Sequence, residues 1–115
     1  MDLVLDVSER DHLAVLALRG EVDVSTAPKL RQQLVELATE GRPWVVVDLS
    51  EVAFLDSTGL GVLVSGLRRF RLLGGDLILA AAQPRILRVL EITRLDRAFD
   101  LFASVDAAVA AGIGR

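Results

Sequence analysis

The sequence predicts an α/β domain: a mixed, mostly parallel β-sheet packed with about four helices. Three observations carry that expectation. Short β-branched apolar runs alternate with stretches of helical periodicity. Glycine and proline punctuate the segments, at Gly41 and Pro43, at Gly74-Gly75 and at Pro84. Hydrophobic residues make up 52% of the 115-residue chain and charged residues 25%, which suits one packed core and one domain over residues 1–115.

Residues 3–7 alternate like a strand with one wet face, and Leu13 to Arg19 form a second apolar stretch. The polar residues 8–12 between them read as a five-residue turn of an antiparallel hairpin. A first helix is expected to start near Ser25-Thr26, with either hydroxyl as its cap and Pro28 in its first turn. Leu30, Leu34, Leu37 and Ala38 then recur at helical spacing. Trp44 to Leu49 is nearly continuous in apolar residues, as in a central parallel strand covered on both faces. A long helix follows the segment at 54–61, burying Leu60, Leu63, Val64, Leu67 and Phe70. Arg68, Arg69 and Arg71 crowd its C-terminal end, where the helix dipole favours cations. Asp76 to Ala82 reads as another buried strand. Pro84 opens a shorter helix with Ile86, Leu87, Leu90 and Ile92 inward. Residues 98–102 read as a last strand, and Ser104 caps a final helix that ends at Gly112. The order β-β-α-β-α-β-α-β-α implies right-handed crossovers onto a mostly parallel sheet.

Composition removes several classes of function. The net charge of −3 gives no basic stripe for nucleic acid. Without cysteine there is no disulfide, thiolate metal site or thiol nucleophile, and no cofactor is expected. The single histidine, His12, falls in the first turn, far from any candidate serine, so a Ser-His-Asp relay has little support. No apolar run reaches the length of a membrane span, and the N-terminus lacks the basic start of a signal peptide. A cytoplasmic protein that is not an enzyme is the expectation.

The chemistry gathers at Asp56-Ser57-Thr58-Gly59. Carboxyl ends of parallel strands are where α/β sheets bind ligands, and this segment sits between the central strand and the long helix. Its hydroxyls then lie at a helix N-terminus, where free N–H groups and the dipole favour an anion. A phosphoserine adds about −1.5 to −2 charges and three acceptor oxygens. Phosphate on Ser57 is thus compatible with the fold while altering the surface. Gly59 and Gly61 leave room for the backbone of a second protein. Phe54 and Leu55 are expected to be largely buried, with the Ser57 hydroxyl accessible. Spacing alone suits Asp56 or Ser57 as a plain helix cap. Gly59-Leu60-Gly61 lacks the third glycine of a dinucleotide fingerprint, and G-x-S-x-G is absent. Glu21 and Asp23 form a weak carboxylate pair for a cation.

The run Phe54-Leu55-Asp56-Ser57-Thr58-Gly59-Leu60-Gly61-Val62 resembles the phosphorylation segment of the bacterial anti-sigma factor antagonists, single-domain members of the STAS superfamily. Three other stretches agree in order and spacing. These are Gly20-Glu21-Val22-Asp23 with Ala27-Pro28-Lys29-Leu30, the strand Val46-Val47-Asp48-Leu49, and Leu90-Glu91-Ile92-Thr93-Arg94-Leu95. Arg94 departs from the pattern, because many members carry glycine there.

The resemblance implies a STAS-type single domain and a partner-switching cycle. The unphosphorylated protein binds an anti-sigma factor that is also a serine kinase, and a sigma factor is released. The kinase uses its own bound ATP to phosphorylate Ser57, the complex separates, and a serine phosphatase resets the switch. Glu21, Asp23, Ser25, Asp56, Thr58, Gly59 and Gly61 are the expected partner contacts; neither nucleic acid nor a membrane is an expected partner. Two rival readings stay open. One is an unphosphorylated STAS scaffold subunit of a transport or sensory complex. The other is a small-ligand or nucleotide-binding STAS domain that uses the helix N-terminus as its anion site.

Overall fold

The computed structural model describes residues 2–114. Five strands form one sheet in the order β1-β2-β3-β4-β5. β1 (Leu3–Arg10) pairs antiparallel with β2 (Leu13–Val22), and every later pairing is parallel. α1 (Ala27–Thr39) joins β2 to β3 (Trp44–Leu55), and α2 (Ser57–Leu72) joins β3 to β4 (Asp76–Ala80). α3 (Pro84–Ile92) and a short 3₁₀ turn lead to β5 (Leu101–Phe102), and α4 (Val105–Ala110) closes the chain.

The strand order never reverses, so right-handed crossovers put α1, α2 and α3 on the same face. Their apolar stripes meet Val45, Val47, Leu49, Val52 and Leu55 of β3 in the main core. Leu30, Leu63, Phe70 and Leu90 are fully buried there, each contributing roughly 1.5–3 kcal/mol relative to exposure. α4 returns over the opposite face, where Ala108 packs on Leu13, Val46 and Ile78. The Ser104 hydroxyl accepts from the Ala107 N–H at 3.0 Å, which is the cap expected of it.

The expected alternation holds, and most differences have a local cause. The β1–β2 connection is two residues, Asp11 and His12, because Arg10 already pairs with Leu13 and Asp11 takes a left-handed conformation (φ 60°). Ser8, Glu9 and Arg10 are polar because they are exposed on an edge strand, not because they form a loop. β2 runs on through Gly20, Glu21 and Val22, so the expected loop begins only at Asp23. Gly20 (φ 119°) is needed within the strand, since a Cβ would collide with the Asp2 carbonyl. β3 likewise continues six residues past Leu49, to Leu55. β4 stops at Ala80 because Ala81 turns away at φ 58°. β5 is shorter than expected because the Ala98 and Phe99 N–H groups donate back to the Leu95 carbonyl of the 3₁₀ turn, and the buried Phe99 fills the core instead of extending the ladder. Helix α4 ends at Ala110, before Gly112. On α3 only Ile86 and Leu90 are buried; Leu87 is 36% and Ile92 71% exposed. Ile92 lies about 200° round the helix from Leu90, facing solvent.

Candidate functional site

The last stretch of β3 extends beyond β4 and pairs only with β2. The register sets Arg19 against Glu51, Gly20 against Val52, Glu21 against Phe54 and Val22 against Leu55. β4 has already ended opposite Asp48. The Gln83 side chain braces this two-stranded extension by donating to the Ser50 carbonyl at 2.9 Å. Chain continuity then places the starts of α1 and α2 together at the sheet's carboxyl end.

Asp56 is the N-cap of α2. Its backbone is extended, and Oδ1 accepts from the Gly59 N–H at 2.9 Å. Its own N–H donates to the Val22 carbonyl at 3.1 Å, tying the cap to the end of β2. The cap therefore belongs to Asp56, and Ser57 occupies the first helical position with its side chain exposed. Thr58 is exposed beside it. Among the described residues the Ser57 and Thr58 N–H groups have no protein acceptor. That leaves two first-turn donors pointing out at the head of a sixteen-residue helix.

Across from this turn lies the β2–α1 loop. Asp23 Oδ1 accepts from the Ser25 hydroxyl (2.7 Å), the Ser25 N–H (2.9 Å) and the Thr26 N–H (3.0 Å). Buried Thr26 donates its hydroxyl to the Glu21 carbonyl at 2.8 Å and accepts from the Asp23 N–H at 2.9 Å. Thr26 stands at the N-cap position of α1 as expected, but neither its hydroxyl nor that of Ser25 makes the cap hydrogen bond; the Asp23 carboxylate takes the donors ahead of the helix. The Ser25 hydroxyl, foremost, and the loop N–H groups hold the Asp23 carboxyl below the usual aspartate value.

Glu21, Asp23, Ser25, Asp56, Ser57 and Thr58 thus share one end of the sheet. Gly61 joins them as an exposed position with open space where a side chain would be. Gly59 does not serve as expected. It is buried, and a Cβ there would lie 2.6 Å from Leu55 Cδ1 and 2.7 Å from Val22 Cγ1. Its missing side chain lets α2 start hard against the strands, leaving no opening for a second protein. Phe54 corrects a second expectation: it is 44% exposed, while Leu55 is buried. Consecutive strand residues face opposite sides, and Leu55 takes the helix-covered one.

A family model for the STAS domain matches residues 4–108. The chain belongs to the STAS family. This STAS domain is 35% identical over 109 residues to the anti-sigma-B factor antagonist of Bacillus subtilis, a match covering 95% of this chain and 99% of the relative. The crystal structure of an anti-sigma factor antagonist from Mycobacterium paratuberculosis aligns with it at a TM-score of 0.84 and 32% identity, over 96% of this chain and 93% of that one. The fold is also that of the Bacillus protein SpoIIAA. The TM-score is 0.75 for its unphosphorylated form (18% identity, 97% of this chain, 100% of that one) and 0.74 for its phosphorylated form (19%, 94% and 98%).

In this STAS domain two apolar residues at the site escaped the sequence reading. Val24 is 71% exposed inside the loop that Asp23 organises, and Phe54 faces outward at the end of β3. Val24 carried a usable signal, being an aliphatic residue flanked directly by Asp23 and Ser25. Phe54 sits in an apolar run and carried none.

Proposed function

We propose that this STAS domain is an anti-sigma factor antagonist whose unphosphorylated form docks an anti-sigma factor over the sheet end around Ser57, and that phosphate on Ser57 ends the docking. The observation that carries this reading is the exposed Ser57 hydroxyl at the first position of α2, with the cap role already filled by Asp56. The side chain is free for modification because the fold makes no demand on it. The partner acts as a serine kinase with its own bound ATP, and a serine phosphatase reverses the step. The domain works by binding, not by catalysis, within the cytoplasm. The named relatives support this, and SpoIIAA keeps the same fold in both phosphorylation states.

The chemistry of the surface suits such a partner. Glu21, Asp23 and Asp56 make this end acidic, so the docking face would present cations. Val24 and Phe54 supply exposed apolar area beside them, which a partner can bury on docking. A near-dianionic phosphate on Ser57 must be desolvated on docking, and that cost opposes binding. The experiment is a pull-down with wild type, Ser57→Ala and Ser57→Asp as baits, the bound proteins being identified by mass spectrometry. Wild type and Ser57→Ala capturing an anti-sigma factor that Ser57→Asp does not capture is the expected result. Equal capture by all three baits would overturn the reading.

A further inference from the structure

A second surface lies along α2, away from the switch. Between the C-terminal halves of α1 and α2 runs an open groove of about 520 Å³, lined by Ala38, Ser65, Arg68, Arg69, Leu72 and Leu73 among others. It narrows toward Arg31 and Val62 into a seam that shares Ser65 and Arg69. Ser65 stands eight residues past Ser57, about 12 Å along the helix axis. Leu72 is 88% exposed at the groove's end, with Leu73 half exposed beside it.

The charge here is opposite to that of the whole chain. Arg31, Arg68 and Arg69 line the groove and its seam, and among the described residues none of them makes an ion pair. No carboxylate lines either stretch. Arg71 is different: it is held by Asp76 at 3.0 Å and by the Ala98 carbonyl at 2.9 Å. Three uncommitted guanidinium groups beside two exposed leucines, on a protein of net charge −3, form a local surface of mixed apolar and cationic character. A bilayer would meet a concave, narrow surface on a net-negative protein. A small molecule would be poorly enclosed, since the leucines stay open to solvent.

We propose that the α1–α2 groove is a docking site for a short acidic peptide segment of a partner protein, its carboxylates on Arg31, Arg68 and Arg69 and an apolar side chain on Leu72 and Leu73. Arginine's planar fork suits carboxylates, and the groove follows the helices, as a linear segment requires. The site is independent of the Ser57 surface and can be occupied in either state of the switch.

The test is an NMR titration of the ¹⁵N-labelled protein with a synthetic peptide of about 12 residues that alternates Glu and Leu. The control is the same peptide with Lys for Glu. Saturable shifts at Ser65, Arg68, Arg69, Leu72 and Leu73, with the Ser57 amide unmoved, are expected from the Glu peptide alone. Arg68→Gln with Arg69→Gln should weaken binding at least tenfold while leaving the melting curve in place. Leu72→Ser, at an exposed position, should also weaken it. Absent shifts, equal binding of the Lys peptide, or affinity that survives the arginine substitutions would overturn the proposal. So would co-sedimentation with phosphatidylglycerol vesicles in the absence of peptide binding, which would assign the surface to a membrane.

Discussion

The Asp56 N–H donates to the Val22 carbonyl across 3.1 Å, and the Asp56 carboxylate accepts from Gly59 at 2.9 Å. One residue thereby fastens the head of α2 both to the strand beside it and to its own first turn. Asp56→Ala keeps the first bond and loses the second. The expected cost is about 0.5–2 kcal/mol of folding stability, read from chemical denaturation, the usual effect of deleting a helix cap. A stability equal to wild type would show that the carboxylate's place at the site is not a capping one.

The two glycines of the segment should separate cleanly. Gly59→Ala pushes a methyl against Val22 and Leu55 and should cost about 1–3 kcal/mol through overpacking. Gly61→Arg meets open space and improves helix propensity, so stability should rise by about 0.5–1 kcal/mol. Binding of the anti-sigma partner should nevertheless fall for Gly61→Arg. Thermal melts and a binding isotherm on both variants check this, and a destabilised Gly61→Arg would contradict it.

Asp23 combines charge with loop order, and two substitutions separate them. Asp23→Asn keeps an acceptor oxygen for Ser25 and Thr26 and should melt close to wild type, whereas Asp23→Ala should melt lower. Loss of partner binding in the asparagine variant then reports the charge. The carboxyl is depressed in the folded state, chiefly by the Ser25 hydroxyl, so its stabilising effect is present above the ordinary aspartate range. It is lost as the pH falls below that range. The difference in melting temperature between wild type and Asp23→Ala should shrink on acidification, and a gap that widens would count against this assignment.

Arg94 follows α3 at φ 62°, ψ 15°, a left-handed conformation that strains any side chain with a Cβ. Glycine, the residue that the family resemblance implies there, would relieve the strain. Arg94→Gly should stabilise the fold by about 0.5–1 kcal/mol, after allowance for the greater freedom of glycine in the unfolded chain. A lower denaturation midpoint would refute it.

Much of this was legible from residue order. The Val45–Leu49 run, the four-residue spacing of Leu30 and Leu34 and the Pro84 start of α3 each carry a periodic signal that the packing preserves. What escaped depends on neighbours in space. Phe54 and Leu55 look alike in sequence; only the register with Glu21 and Val22 decides which one faces the helices. Gly59 and Gly61 are likewise indistinguishable until α2 is laid on the strands. The hairpin turn was read too long because exposed strand residues on an edge have loop-like composition. The α1–α2 groove needs two helices from distant segments and had no linear signature.

The central claim is that phosphate on Ser57 breaks docking without unfolding the domain. The helix dipole should favour an anion near the first turn by about 0.3–1 kcal/mol, offsetting repulsion from Asp56, so stability should barely change. A partner surface packed over the hydroxyl faces a mismatched charged contact instead, worth roughly 2–5 kcal/mol or about 30- to several-thousand-fold in affinity. The direct measurement is to incubate the protein with ATP and the anti-sigma factor proposed as its kinase, map the phosphate by mass spectrometry, and compare melting curves and partner affinity before and after. The account predicts phosphate on Ser57, an unchanged melting temperature and affinity lowered at least 30-fold. Phosphate confined to Thr58 or elsewhere, or undiminished binding by the Ser57-phosphorylated protein, would contradict it.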